Sequence, residues 1–512
     1  MEVVSTWGLA LLQTSYVFTV LFGLTAWVRR RGRSEAYSLS LAFAVYATLS
    51  LIIFWVCWAT LPHRLTAFVL TLFTVAGFYA LGSVEVYRRG LRDPIAVPIL
   101  LAFCATILLL TWAHGLAPSS EPLLEVAGRW THPLPGDNKI PLDFAQGLEA
   151  GRINRPLHGG DWLSSDRPPL QTALFITSPG FLLLGANQWA YQSAAVALQM
   201  TILVASWALA RSLGAGLVLA ALVLLAVLFT PLTIVHGTFV WPKLLAAAYV
   251  TMAVTLHFAS SEDEAGRGAL VGCLFALAML SHGAAAFVVI GAAVSAVALH
   301  RIIGPRHVAA AMVAFSLVYA PWIAYQRFAD PPGDRLIKWH LAGVETIDQR
   351  PLMTVLKEAY SGLPPFEIAE TRLTNLFNLG LHLKPAYSHT WAAVKHLLQG
   401  NFGATKASLA SVRSLQFFGV ITGTGLLGFG LLVLPLFWFS RWRWLGTLLL
   451  ASYAVWITLL FKAGNTVIHI GSLFLETGLI VLVVVILGSV STILAAAAVA
   501  LHMALTIFQY AL

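Results

Sequence analysis

Asp137 stands in the run Gly136-Asp137-Asn138-Lys139, and a second polar run, Gly160-Asp161-Trp162-Leu163-Ser164-Ser165-Asp166-Arg167-Pro168-Pro169-Leu170, follows it. Carboxylates of this kind can take a proton or orient a hydroxyl, and a guanidinium among them can hold an anion. Pro141 suits the first turn of a helix that ends near Gly151, with Asp137 just ahead of it at the positive end. Further along, Lys243 follows Trp241-Pro242, His282 precedes Gly283, and Lys338-Trp339-His340 sets an aromatic between two cations, a pattern that suits a sugar phosphate. His469, Ser472 and Glu476 are spaced i, i+3, i+7 and share one helical face. An ionisable group inside an apolar helix is costly and faces a cavity or a partner. The sequence has no metal cluster of strong spacing, no glycine-rich phosphate loop after a strand and no nucleophile elbow.

Each of these residues also has a plainer reading. Asp137 can be a turn or helix-start residue, and Asp166 a solvated side chain before a proline turn. Arg167 can reach toward lipid headgroups, and Lys243 can be an interfacial anchor. His282 can be a hydrogen-bonded structural histidine. His469, Ser472 and Glu476 can be a buried packing network. Most cations near Lys338, among them Arg327, Arg335, Arg350 and Arg372, can simply be solvated.

The elements that must position these groups follow from composition. Of 512 residues, 58% are hydrophobic and only 10% are charged, whereas a soluble domain is about 25% charged. The solvent for most of the chain is therefore lipid, and the fold class is an all-α polytopic integral membrane protein. A crossing needs about 20 mostly apolar residues. About fourteen stretches qualify, near 7–28, 39–61, 65–86, 95–116, 189–213, 217–235, 244–260, 269–280, 284–299, 308–325, 415–439, 445–461, 467–487 and 489–512. The first is preceded by Glu2 and followed by Arg29, Arg30, Arg31 and Arg33, the reverse of a signal peptide, so it reads as an anchor. Cys57, Cys104 and Cys273 lie in apolar stretches without ligand spacing and read as small core residues.

The positive-inside rule then sets sidedness. One alternating path places Arg29–Arg33, Arg88, Arg89, Arg92, Arg211, Arg267, Arg301, Arg306, Arg441 and Arg443 in the cytoplasm. The same path puts two long polar segments, 117–170 and 326–414, outside. The apolar but short 170–185 stretch, with Pro179 inside it, reads as a helix lying at or dipping into the outer interface. The formal charge of +9 comes in short clusters between apolar runs, which suits lipid headgroups and excludes a nucleic-acid footprint.

The order of these pieces resembles the GT-C superfamily of lipid-linked glycosyltransferases, in the branch of protein O-mannosyltransferases and the lipid A aminoarabinose transferase. The matching residues are Asp137, Gly151, Gly160-Asp161-Trp162, Asp166-Arg167-Pro168-Pro169-Leu170 and Leu184-Gly185. Ala276-Leu277-Ala278-Met279-Leu280-Ser281-His282-Gly283 resembles a further segment of that family, with His282 where a lysine is common. Asn138 replaces the second carboxylate of the family's usual acidic pair, and the loop follows the fourth expected crossing, not the first. The resemblance implies an extra amino-terminal module of three helices (1–92) and a GT-C-like core (93–325) holding the first loop. The second loop (326–414) and the carboxy-terminal helices (415–512) follow.

What the resemblance implies is an inverting transfer of a sugar from a polyprenyl-phosphate donor to a hydroxyl of an envelope glycan, lipid or protein. The membrane would be the bacterial inner (plasma) membrane, with the site on its periplasmic or extracellular side. Asp137 would be the base, and Asp166 or Asp161 would orient the acceptor. Arg167, Lys243, His282, Lys338, His340, His469 and Glu476 are the candidates to bind substrate. No cofactor is implied with certainty, a divalent metal being the one candidate. A transporter or flippase of a lipid-linked glycan is the alternative, although paired halves of the kind transporters show are missing. A non-catalytic envelope scaffold is the third reading.

Overall fold

Ser34 accepts from the Tyr37 amide and starts the helix Glu35–Ala59, and Asn187 accepts from the Trp189 and Ala190 amides to start Gln188–Ser212. A side-chain oxygen at these positions satisfies amides that lack a partner in the first helical turn. Behind such starts the apolar stretches fold as helices in the computed structural model. It describes residues 2–60, 65–72, 74, 88, 90–129, 134–152, 156–259, 264–299, 304–380, 382–416, 420–429, 442–462 and 473–511. Among the described residues the architecture is all-helical, with one isolated bridge between Leu157 and Trp162.

Six of these helices are long and apolar enough to cross a membrane: Glu2–Arg29, Glu35–Ala59, Ala96–His114, Gln188–Ser212, Pro305–Ala324 and Thr492–Ala511. The crossing expected at 217–235 is not one straight helix. It is the pair Leu217–Leu228 and Pro231–Phe239, bent by 63°. Pro231 has no amide hydrogen to continue the first helix and instead opens the second. Counting the bent pair as one gives seven, against the expected count of about fourteen. Lys243–Ala259, Glu264–Ser281, Ala285–Ala298, Arg443–Leu459 and Phe474–Val490 are shorter apolar helices. The stretches expected at 65–86 and 415–439 lie largely outside the described residues.

Gln188–Ser212 is the centre of the bundle and is buried along its length. The first two helices pack directly on this centre. Gln13 donates to Ser178 Oγ at 3.1 Å and to the Ala190 carbonyl at 3.0 Å, and Trp189 donates to the Thr6 carbonyl at 2.8 Å. At the periphery, Pro305–Ala324 leaves Met312, Val313, Leu317 and Ile323 exposed, a surface whose favourable solvent is lipid. That helix is held by glycines: a methyl built on Gly268 or Gly272 would overlap the backbone of His307 or Ala311. Small residues four apart let two helix backbones approach closely, which dispersion rewards inside a membrane.

The 170–185 stretch is two short helices, Leu170–Ile176 and Pro179–Leu184, and residues 170–178 are buried within the protein. This places the Pro168-Pro169 corner at the entrance to the core. The two long polar segments meet there. Ser164 Oγ donates to Asp330 Oδ2 at 2.5 Å, the Ser165 amide donates to the same oxygen at 3.1 Å, and Gln326 donates to the Ser165 carbonyl at 3.0 Å.

Candidate functional site

Asp137 is fixed by its turn before it meets any partner. Gly136–Lys139 forms one 3-10 turn that runs into the helix Ile140–Glu149, with Pro141 at its start. Gly151, at φ +65°, lies just past the end of that helix. The neighbouring Asn138 donates to the Leu123 carbonyl at 3.2 Å, and its own carbonyl accepts from the Tyr191 hydroxyl at 3.1 Å. Held from both sides, the turn aims the Asp137 carboxylate inward. Its Oδ2 accepts from Arg167 Nη2 at 2.5 Å, and its Oδ1 accepts from the Trp241 indole at 2.7 Å.

Trp241 is available because the chain unwinds between Pro231–Phe239 and Lys243–Ala259. Val240 takes a left-handed conformation, φ +57°, and Pro242 supplies no donor. Unwinding inside an apolar bundle strands carbonyls unless side chains satisfy them. Buried glutamines do so: Gln171 donates to the Val240 carbonyl at 2.9 Å, and Gln192 to the Thr238 carbonyl at 2.7 Å. Gln199 donates to Gln171 at 2.9 Å and accepts from the Leu245 amide at 3.0 Å.

The break delivers Lys243 to the same place. Its ammonium is wholly buried, lies 3.8 Å from the Trp241 ring centre and has no hydrogen-bond partner among the described residues. It interacts electrostatically with Asp137, Arg167 and Glu476. Glu476, near the start of Phe474–Val490, is buried, and one of its carboxylate oxygens has no hydrogen-bond partner among the described residues. His236 stacks on Trp241 with ring centres 6.0 Å apart, and buried His282 feels the charges of Lys243 and Arg167.

Asp166 lies on the other side of Arg167. Its Oδ2 accepts from the Leu163 amide at 2.9 Å and closes the Ser164–Asp166 turn, while its buried Oδ1 has no hydrogen-bond partner among the described residues. Burial pushes its carboxyl up to about 6, against the opposing pull of the Leu163 amide and of the Arg335 charge and amide. Asp166 and Pro168 line a cavity of about 270 Å³ with Phe287, Tyr319, Trp322 and His340. The walls are mostly apolar and come from Ala285–Ala298, Pro305–Ala324 and Arg335–Ala342. His340 donates from Nδ1 to the Leu336 carbonyl at 2.6 Å. Burial, with Lys243 and Arg167 nearby, lowers its pKa to about 4, so the ring is neutral at ordinary pH with Nε2 an acceptor.

Trp162 stands between two cations that the sequence keeps far apart. The guanidinium carbons of Arg167 and Arg335 each lie 4.0 Å from its ring centre. Arg335 also donates to the Asp161 carbonyl, to Asp161 Oδ1 at 3.3 Å and to the Glu345 carbonyl at 2.6 Å. Burial draws the Arg167 guanidinium below its ordinary value, and Asp137 opposes that draw.

The structure thus gathers Asp137, Arg167, Lys243, His282 and Glu476, with Asp166 and His340 beside them at the cavity. Lys338 is committed elsewhere: its ammonium pairs with Asp334 at 2.8 Å and donates to the Asp348 carbonyl at 2.6 Å. Asp161 is largely exposed, its side chain at 62% accessibility. His469 and Ser472 lie outside the described residues. Arg335, Trp241 and His236 are additions that the sequence reading did not single out as site residues. Among the described residues no three of His, Cys, Asp and Glu converge on a metal-sized space. The Asp137 carboxylate faces two N–H donors where a metal ion would need acceptors, so these residues do not fit a metal there.

No family model and no curated protein matches the sequence. Among solved structures, ArnT from Cupriavidus metallidurans bound to undecaprenyl phosphate is similar at TM-score 0.37 and 14% identity, covering 75% of this chain and 77% of that one. The same protein in its apo state gives TM-score 0.35 and 14% identity over 74% of this chain and 77% of its own.

Proposed function

We propose that this chain is an inverting glycosyltransferase that moves a sugar from a polyprenyl-phosphate donor to a hydroxyl acceptor at the extracytoplasmic face of a membrane. The observation that carries this reading is the joining of two environments. An apolar cavity between helices with lipid-compatible outer surfaces is lined in part by Asp166 and His340, beside a buried cluster of Arg167, Lys243 and Asp137. A lipid phosphate has the matching halves, an apolar chain and an anionic head.

In this reading the acceptor oxygen bonds to the anomeric carbon as the bond from that carbon to the phosphate oxygen breaks. The electron pair leaves with the polyprenyl phosphate. Arg167 and Lys243 stabilise the charge that grows there, in a site from which water is largely excluded. A carboxylate flanking Arg167 takes the proton from the acceptor hydroxyl. Inversion follows from a single displacement.

Protein reconstituted in liposomes with a polyprenyl-phosphate sugar and an envelope extract should release polyprenyl phosphate and add one sugar mass to an extract component. Mass spectrometry reads both. Movement of the intact donor across the bilayer with no release of polyprenyl phosphate would replace this reading with that of a flippase.

A further inference from the structure

We infer that Asp166, and not Asp137, accepts the proton from the acceptor hydroxyl, and that Asp137 is a positioning residue for Arg167. This assignment rests on the transferase reading above. Asp137 has no oxygen to spare: Oδ2 is held by Arg167 at 2.5 Å and Oδ1 by Trp241 at 2.7 Å. Both oxygens already accept a donor from the protein, so an incoming hydroxyl would have to compete with Arg167 and Trp241 for the carboxylate. Asp137 also does not line the apolar cavity, whereas Asp166 does.

Asp166 has the opposite arrangement. One oxygen accepts from the Leu163 amide, the Arg335 amide also lies near the carboxylate, and Oδ1 is buried beside the cavity with no hydrogen-bond partner among the described residues. The anchor fixes the rotamer while Oδ1 stays available. Arg167 and Pro168 follow it in sequence, so the base and the cation that meets the leaving phosphate are adjacent on one short, proline-stiffened stretch. The charged and titratable groups facing Asp166 are Arg167 beside it, Arg335 and Asp330 from the second polar segment, and neutral His340 across the cavity. Burial outweighs Arg335, so the carboxylate titrates near 6 and is a stronger base than a free aspartate.

The balanced step is direct. The acceptor O–H proton moves to Asp166 Oδ1, the acceptor oxygen bonds to the anomeric carbon, and the sugar–phosphate bond pair leaves on the phosphate. After release, Asp166 returns its proton to solvent.

The test compares Asp166→Asn and Asp137→Asn in liposomes, with a short-chain polyprenyl phosphate as the binding probe and a polyprenyl-phosphate sugar as donor. Wild-type transfer should rise with pH through an acid limb near 6. Asp166→Asn should bind the probe as wild type does and lose about 10²–10⁴-fold in kcat. Asp137→Asn should weaken probe binding and raise the donor KM while keeping the acid limb. If Asp166→Asn does not fold, Asp166→Ser keeps an acceptor for the Leu163 amide and removes the base. An Asp166→Asn variant that keeps the acid limb, with kcat lost only in Asp137→Asn at unchanged KM, would overturn the assignment. A wild-type protein that binds the probe but transfers no sugar overturns the transferase reading and this assignment together.

Discussion

Trp241 donates its indole N–H to Asp137 Oδ1 at 2.7 Å across 104 residues of sequence. The bond ties the turn before Ile140–Glu149 to the unwound stretch before Lys243–Ala259. Trp241→Phe keeps an aromatic face for Lys243 but leaves a buried carboxylate oxygen without its donor. A hydrogen bond to a charged group in such a place contributes about 1.5–3 kcal/mol. Thermal unfolding in detergent should show a loss of that size, and the donor KM should rise because Asp137 no longer steadies Arg167.

Gln171 and Gln199 act as one unit on the same unwound stretch. Gln171 donates to the Val240 carbonyl while its amide oxygen accepts from Gln199. Gln171→Leu should cost about 1–3 kcal/mol, because the Val240 carbonyl is stranded away from water. Gln199→Leu should cost a similar amount, and the double variant less than the two together. Chemical denaturation of the four proteins in one detergent measures this coupling. Additive losses would mean that the two glutamines support the stretch independently.

What the sequence made legible follows from how far apart the partners are. The turn at Asp137, the Pro141 helix start and the Pro168-Pro169 corner depend on neighbouring residues and turn chemistry, and each is where the residue types put it. The all-helical character was equally legible, since lipid leaves one dominant rule for backbone polar groups, but the number of full-length crossings was not. The bend at Pro231 was harder, because an apolar stretch interrupted by proline can kink or break. Arg335 on Trp162 and Trp241 on Asp137 join segments over a hundred residues apart, and no local spacing announces such pairs. Lys338 pairs with Asp334, four residues back on the same helical face, a partner that local spacing does make visible.

Gly272 tests the helix packing that holds the cavity wall. A side chain there would be driven into the Ala311 backbone on Pro305–Ala324, which has no flexible end to yield. Gly272→Leu should separate the two helices and disturb Tyr319 and Trp322, which line the cavity from Pro305–Ala324. The expected outcome is loss of the monodisperse peak in fluorescence-detected size exclusion, or a large fall in Tm. Leu317→Ala on the exposed face of the same helix should change neither, since it removes only an outward contact.

Asp166→Asn should stabilise the protein at neutral pH. The folded-state carboxyl titrates near 6 and the ordinary one near 3.8, so between these values the folded protein holds a proton that the unfolded chain has released. Stability then falls as pH rises through that window and stays low above it. Two pKa units correspond to about 3 kcal/mol, which sets a ceiling on the gain. Asparagine removes the buried charge, can still accept from the Leu163 amide, and should recover about 1–3 kcal/mol of it at pH 7.5. His340 titrates with the opposite sign: burial lowers its folded pKa to about 4, so its contribution is lost as pH falls below the ordinary histidine value. That contribution is common to both proteins and cancels in the difference between variant and wild type. The Tm difference should therefore be positive at pH 7.5, shrink through pH 6 and vanish near pH 4. An equal Tm difference at all three values would mean that Asp166 carries no burial-raised carboxyl. Under the proposed transferase reading, a base held at the cost of stability is what a catalytic position would show, because the surroundings that would relax it are withheld so that it can act on a substrate.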